Sequence, residues 1–159
     1  MKRVVTIVAG LVMLALLIIC NVPFSVTKTY HALEIDTVDA GHQIGREVTL
    51  RGHYMVNVFS HDRFDGTIQI SGYEKEEKVR IKDGVISWKP QRNLLVEEMR
   101  DSSDRLQKVT IDGYVFLQPF LKAAVVIVGN SYTEDEAICI VTGAETYDEA
   151  KKSALENMK

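Results

Sequence analysis

Residues 47–58, which read Glu-Val-Thr-Leu-Arg-Gly-His-Tyr-Met-Val-Asn-Val, decide the fold class of this chain. Apolar or small side chains occupy the even positions from Val48 to Val58, and polar side chains occupy most of the odd ones. Alternation with a period of two residues predicts a β-strand that buries one face. The pattern returns in residues 66–72 after a polar turn, so the two stretches predict an antiparallel hairpin.

Further strand signals follow as far as residue 144. Asp83-Gly84 lies between two short apolar runs and predicts a second hairpin, because a type I′ turn favours this dipeptide. The stretch from Gln91 to Gln107 fits either a short helix or an edge strand. Alternation in residues 109–117 and apolar runs in residues 123–128 and 137–141 predict three more strands. The sequence therefore predicts a mainly β fold, either a small antiparallel β-sandwich or a partly open barrel, over residues 47–144.

The last residues change from strand to helix signals. Thr146 and Glu149 have the spacing of a capping box, in which each side chain bonds a backbone N–H near the helix start. Small and apolar residues then recur at helical spacing opposite a charged face. We expect one amphipathic helix in residues 145–159, docked on the sheet because an isolated helix of this length is marginal in water.

The chain begins with an uncharged apolar run, Val4 to Val22, preceded by Lys2 and Arg3. Its length is close to the roughly 20 residues that cross a bilayer, which predicts a transmembrane anchor or uncleaved signal in residues 1–24. A cleaved signal peptide and a lipoprotein acylated at Cys20 are the alternatives. The basic residues predict a cytoplasmic N-terminus, with the remainder extracytoplasmic and residues 25–46 forming a linker and a first short strand.

The charge balance bears on partners. The chain has 19 basic and 22 acidic residues, a net charge of −3. Without Lys2 and Arg3 the balance is 17 against 22, or −5. Such a domain has no basic field that attracts nucleic acid, so we expect no nucleic-acid partner.

Several short motifs carry a family resemblance. They are Gly52-x-Tyr54, Phe64-x-Gly66-x-Ile68-x-Ile70-x-Gly72 and Asp148-Glu149-Ala150. Together with the N-terminal apolar run, they resemble small membrane-anchored extracytoplasmic proteins of Gram-positive bacteria, for which no activity is established. The resemblance implies a location and a β fold, and it transfers no functional residue.

No catalytic or cofactor motif stands out in the sequence. The nucleophile elbow, the zinc-protease motif, the phosphate-binding loop and the dinucleotide fingerprint are all missing, so we assign no catalytic residue and no cofactor. The one grouping with metal-ligand chemistry consists of His53, His61, Asp62 and Asp65, on the first predicted hairpin. A catalytic zinc site needs three clustered ligands. The alternative is a polar turn that these residues keep in water.

Four aromatic residues fall on the polar face of their predicted strands: Phe59, Tyr73, Tyr114 and Phe116. An exposed aromatic cluster on a β face would mark a docking surface for another protein. The alternative is that the helix at residues 146–158 covers that face.

These observations predict a non-enzymatic single-pass membrane protein, held in the cell membrane by residues 4–22. Its extracytoplasmic β domain would bind another envelope component. Two alternatives stay open: a ligand-binding module for a cell-wall fragment, lipid or solute, and a hydrolase that acts on the envelope.

Overall fold

The computed structural model describes residues 2–19, 22–57, 60–72, 79–87, 89, 91–100, 106–133 and 136–158. Eight strands lie between an N-terminal and a C-terminal helix. The bounds of the helices and strands are α1 Lys2–Ile19, β1 Phe24–Asp36, β2 Gln43–Met55, β3 Asp62–Ile70, β4 Val79–Ile86, β5 Arg92–Arg100, β6 Leu106–Leu117, β7 Ala124–Thr133, β8 Glu136–Thr142 and α2 Tyr147–Met158. A 3-10 turn, Pro119–Leu121, lies between β6 and β7.

The eight strands form one closed barrel in which each strand pairs antiparallel with its neighbours in the sequence. The first and last strands close the ring, with register pairs from Ala32 opposite Thr142 to Asp36 opposite Ile138. The prediction of a sandwich or a partly open barrel is therefore wrong. Alternation in the sequence identifies a buried face, but it does not determine whether the sheet curls until its two ends meet.

Alternate side chains fill the inside of the barrel. An eight-stranded barrel is just wide enough for its inward side chains to pack against each other. This inner cluster consists of Ala32, Val48, Leu50, Tyr54, Phe64, Ile68, Ile81, Ile86, Leu95, Val115, Leu117, Leu121, Ala124, Val126 and Ile140. On β2 its members occupy the even positions, as the alternation in residues 47–58 predicts.

A second cluster lies on the outside of the barrel, where α2 covers strands β1, β7 and β8. This outer cluster consists of Ile35, Phe116, Val125, Ile127, Ala137, Cys139, Val141, Ala150, Ala154 and Met158. Residues 124–127 of β7 are therefore buried on both faces of the strand, as this apolar run predicts. Burial, together with the nearby charge of Asp36, raises the pKa of the Cys139 thiol to about 12, so this cysteine stays protonated and unreactive at neutral pH.

Helix α1 does not support the predicted anchor. No helix in the described part of the chain has the length and apolar character needed to cross a membrane. The 18 residues of α1 include Lys2 and Arg3, so its apolar part is shorter than the roughly 20 residues required. Several predictions are therefore wrong. They are the transmembrane helix and signal anchor, the single-pass topology, the cell-membrane localisation with its cytoplasmic and extracytoplasmic sides, and the assignment to the bacterial envelope.

Asp83-Gly84 makes no hairpin turn, because β4 runs through both residues. The register between β3 and β4 shifts there, with Phe64 opposite Gly84 but Gly66 opposite Ile81. A Cβ on Gly84 would lie 2.7 Å from Cγ2 of Ile81 and 3.1 Å from the Phe64 carbonyl oxygen. The glycine thus allows an irregularity inside a strand. The Asp-Gly signal predicts a turn, and it does not distinguish a turn from such an irregularity.

Candidate functional site

In the part of the chain that the structure describes, strand β1 has a long edge without a neighbouring strand. It pairs with β2 from Phe24, opposite Tyr54, to Ile35, opposite Gln43. Its pairing with β8 covers only residues 32–36. We call residues 24–30 the free edge. We call the end of the barrel where β1 begins the lower end, and the opposite end, where β1 finishes, the upper end.

The direction of the backbone groups along the free edge follows from the bonds at its upper limit. The His31 carbonyl oxygen accepts a hydrogen bond from the Gly143 N–H at 2.9 Å, so the backbone groups of His31 point toward β8. Because strand residues alternate, Ser25, Thr27 and Thr29 point their N–H and C=O groups the same way. The 3.1 Å contact between the hydroxyls of Thr29 and Thr49 agrees, since side chains approach most closely in pairs without backbone bonds.

The free edge is accessible and has defined ends. Ser25, Thr27 and Thr29 are all exposed. Below them, Pro23 has no N–H to donate. Above them, the His31 carbonyl is already bonded to Gly143. Three successive outward-pointing residues therefore offer backbone donors and acceptors to a neighbouring strand.

The inner side of the free edge is fixed to the turn between β6 and β7. Lys28 Nζ donates to the carbonyl oxygens of Phe120 at 2.6 Å and Leu121 at 3.0 Å. The Tyr30 hydroxyl donates to the same Leu121 carbonyl, and burial raises the pKa of Tyr30 to about 12. The Lys28 ammonium thus bonds inward to the turn, and it does not cover the edge.

That turn holds two residues in an unusual backbone conformation. Phe120 and Leu121 have φ values of 57° and 49°, in the left-handed region that costs non-glycine residues energy. Leu121 is buried in the inner cluster, whereas the Phe120 side chain is 53% exposed beside the free edge. The bonds from Lys28 and Tyr30 to the carbonyl oxygens of these two residues help to hold the turn in this conformation.

Tyr54 connects the turn to β3. Its hydroxyl donates to Asp62 Oδ2 and accepts from the Phe120 N–H, the latter at 3.0 Å. Burial, and then the bond to Asp62, raises the pKa of Tyr54 to about 12. Asp62 Oδ1 also accepts from the Asn57 N–H at 3.0 Å. Tyr54 and Asp62 are therefore structural members of the lower end.

The four candidate metal ligands are divided between two faces. His53 and Asp65 lie opposite each other in the β2–β3 register, and both are exposed on the outside of the barrel. His61 is exposed just before β3, while Asp62 bonds inward to Tyr54. Among the residues that the structure describes, no three His, Cys, Asp or Glu side chains come together. The alternation of β3 places Asp62 and Asp65 on opposite faces.

The four aromatic candidates do not share one surface in the described structure. Phe59 and Tyr73 lie outside the described residues. Phe116 is 3% exposed in the outer cluster, to which α2 also contributes. Tyr114 is partly buried beside that cluster, with the Arg92 guanidinium 5.0 Å from the centre of its ring. Phe116 is therefore not part of an exposed docking surface.

A buried ionic group lies inside the upper end of the barrel. Glu34 is 4% exposed, and its carboxylate accepts from Arg46 Nε at 2.8 Å and contacts His42 Nε2 at 2.9 Å. Arg46 Nη1 also donates to the Ser71 carbonyl at 3.2 Å. A buried carboxylate needs such partners.

Sequence reasoning missed both the free edge and Glu34. The alternation of Ser25, Thr27 and Thr29 with inward residues could have extended the first strand to Phe24, because it has the period of two that marks the other strands. Glu34 follows Ala32 on the inward face of β1, where a charged residue signals a buried partner. The partner itself, Arg46, is visible only from the register of the strands.

Comparison with protein-family models, curated proteins and solved structures finds no match to this chain. The class that the fold itself defines is an eight-stranded antiparallel barrel with sequential strand order, in which the described residues leave part of one edge of β1 without a neighbouring strand.

Proposed function

We propose that the protein is a non-enzymatic binding module that docks an extended polypeptide segment along the free edge of β1. The observation that carries this proposal is the mismatch in the pairing of β1, which meets β2 along its length but β8 only at residues 32–36. Strand addition of this kind uses main-chain hydrogen bonds for affinity and side-chain pockets for specificity.

Proteins usually protect a strand edge with charged side chains, proline or a covering segment. On the free edge, the outward side chains are the uncharged Ser25, Thr27 and Thr29. Lys28, the one charged residue in this stretch, bonds to the turn. The edge therefore has no charged side chain of its own that repels an added strand.

A second gap in strand pairing, between β4 and β5, shows how a side chain can bond the backbone groups of a strand edge. Strands β4 and β5 share only two register pairs, Arg80 with Val96 and Ile81 with Leu95. Beyond them, the Asn93 side chain bonds both backbone groups of Val85, accepting from its N–H at 2.7 Å and donating to its C=O at 3.1 Å. The free edge of β1 has no equivalent side chain among the bonds of the described residues.

An added strand would also gain apolar contact. Phe24 is 50% exposed at the lower limit of the edge, and Phe120 is exposed beside it. The Phe24 ring packs against Tyr54, with centroids 5.4 Å apart, so this aromatic is held in place. Pre-positioned aromatic side chains supply contact area at little cost in conformational entropy, as in many protein interfaces.

The test uses short peptides selected by display against the full-length chain, with binding measured by fluorescence anisotropy. Thr27→Pro removes one edge N–H, and β2 loses no bond because that N–H points away from it. We expect Thr27→Pro to weaken binding at least tenfold. Thr27→Val is the matched control, since it keeps the N–H and the side-chain size, and it should bind as the unchanged chain does. Selected peptides that bind Thr27→Pro with unchanged affinity would contradict the proposal.

A second candidate function is the binding of a small apolar ligand in the upper mouth of the barrel. Ile44 and Ile138 occupy inward positions there, yet they are 38% and 39% exposed. Ile44 lies opposite Glu34, and Ile138 lies opposite Val128. Barrel mouths with apolar walls and a few polar groups are frequent ligand sites.

A fluorescent fatty acid is the probe for this second function. We expect Ile138→Asn to lower its affinity at least fivefold, because the substitution places an amide on the apolar wall. Leu94→Asn, at an exposed position on β5, is the control and should change nothing. Equal affinities of the two variants would exclude the mouth as the site.

A further inference from the structure

We infer that the segment docked on the free edge is β1 of a second copy of this chain, paired antiparallel about a two-fold axis through Thr27. The inference rests on the proposed function, because it identifies the extended segment that the edge accepts. A two-fold interface uses the same surface on both subunits, so the edge must be complementary to itself.

The backbone of the free edge meets this condition. With Thr27 opposite Thr27 of the second copy, Ser25 falls opposite Thr29, and these are the residues whose backbone groups point outward. Each such pair exchanges two hydrogen bonds in an antiparallel ladder, which gives about six bonds in all. The ladder stops where Pro23 meets His31, since the proline has no donor and the His31 carbonyl is bonded to Gly143.

The side chains are complementary in the same register. On the outward face, Thr27 meets Thr27 and Ser25 meets Thr29, and hydroxyl pairs of this kind stabilise neighbouring strands. On the inward face, Phe24 meets Tyr30, an aromatic pair. The other inward pair joins Val26 to Lys28, whose ammonium is held by the turn. No two like charges of the free edge lie opposite each other.

Moving the two-fold axis by two residues along β1, to Thr29 or to Ser25, loses this match. With Thr29 at the two-fold axis, Thr27 would face His31, whose carbonyl is already bonded. With Ser25 at the axis, Thr27 would face Pro23, which has no N–H. The axis through Thr27 is the one that places all three outward-pointing residues opposite one another.

Disulfide trapping in the full-length chain tests the register directly. In a Cys20→Ser background, Thr27→Cys places two thiols on Cα atoms about 5.5 Å apart, within the range of about 4.4–6.8 Å that a disulfide spans. Thr29→Cys is the matched control, because its copies would lie about four residues, or roughly 13 Å, apart along the strands. The remaining Cys139 is buried. We expect a covalent dimer from Thr27→Cys and none from Thr29→Cys under mild oxidation.

The mass in solution is the second measurement, by light scattering after size exclusion. We expect twice the chain mass of 17.9 kDa. Thr27→Lys places like charges opposite each other and should raise the dimer dissociation constant at least tenfold. Gln69→Lys, an exposed position on β3, is the control and should leave it unchanged. Helix α1 also has exposed apolar side chains, such as Val5 and Leu11, which offer a second surface for dimerisation. The trapping pattern and the response to Thr27→Lys distinguish a dimer formed through β1 from one formed through α1.

The outcomes separate this inference from the proposed function. Equal trapping of Thr27→Cys and Thr29→Cys, or none of either, would overturn the two-fold pairing. Peptide binding that still depends on the Thr27 N–H would then leave strand addition standing with a different partner. If Thr27→Pro also has no effect on peptide binding, both the inference and the proposed function fail.

Discussion

Glu34 shows how a single residue determines which polar side chains are buried inside the upper end of the barrel. Its side chain lies among inward positions that are otherwise largely apolar, and it is neutralised by Arg46 from the adjacent strand and contacted by His42 from the turn before that strand. An isolated buried charge is very unfavourable, so the three side chains must be ordered together. This group also fixes the register of β1 and β2, because a slip of one residue between the strands would turn either Glu34 or Arg46 to the outside and separate the pair.

We predict that Glu34→Gln lowers the free energy of unfolding by about 3 kcal/mol, because the Arg46 guanidinium would keep its partly buried site without a carboxylate. Urea denaturation followed by circular dichroism measures the change. Asp65→Asn removes a carboxylate from the exposed outer face and should change stability by less than about 0.5 kcal/mol. Equal midpoints for the two variants would show that the ionic group contributes little.

At the scale of the elements, α2 is the part that the sequence predicts best. The Thr146 hydroxyl accepts from the Glu149 N–H at 3.4 Å, as the capping-box spacing predicts. The Glu149 carboxylate, however, accepts from the Glu145 N–H at 3.1 Å, one residue before the expected partner. The capping and periodicity signals of this helix lie within the helix itself, so they can be recognised from the sequence. Strand β1 is longer than predicted, because the alternation of outward and inward residues continues from Thr29 back to Ser25.

Ala154 allows α2 to pack closely on the barrel, since it is fully buried in the outer cluster. We predict that Ala154→Leu costs about 1–3 kcal/mol by overpacking, although leucine is a good helix former. Lys152→Leu, on the exposed face of α2, is the matched control and should cost less than about 0.5 kcal/mol. Thermal unfolding monitored by circular dichroism compares the two, and a stable Ala154→Leu variant would mean that α2 can move outward without loss.

At the scale of the whole molecule, closure is the property that the sequence did not reveal. Alternation predicted a buried face and the hairpin of β2 and β3, and both are present. Closure depends on β1 meeting β8 across more than half of the chain, from Ala32 to Thr142. The same limitation applies to the candidate site, because the free edge exists only where that meeting stops. No local pattern in the residues of β1 specifies how far the last strand extends.

A pair of glycines allows the backbones of β2 and β3 to come together where there is no room for a side chain, and Gly52 gives a test of this role. Gly52 lies opposite Gly66, and a Cβ on Gly52 would lie 2.2 Å from the Asp65 carbonyl oxygen. We predict that Gly52→Ala lowers the unfolding free energy by about 3 kcal/mol, because the backbone itself must move. Gly45→Ala on the same strand meets nothing within 4 Å and should be neutral or slightly stabilising. Similar urea midpoints for both would refute this role.

The short ladder between β1 and β8 also has a consequence for synthesis. Strands β1 to β7 can pair in order as the chain leaves the ribosome, each with the strand made just before it. The β8 side of β1 has to wait until residues 138–142 have emerged. During that interval the first strand exposes one side along its full length, and non-local pairing of this kind forms slowly. A nascent chain of this protein is therefore most vulnerable to pairing with a neighbouring nascent chain just before its last strand is complete.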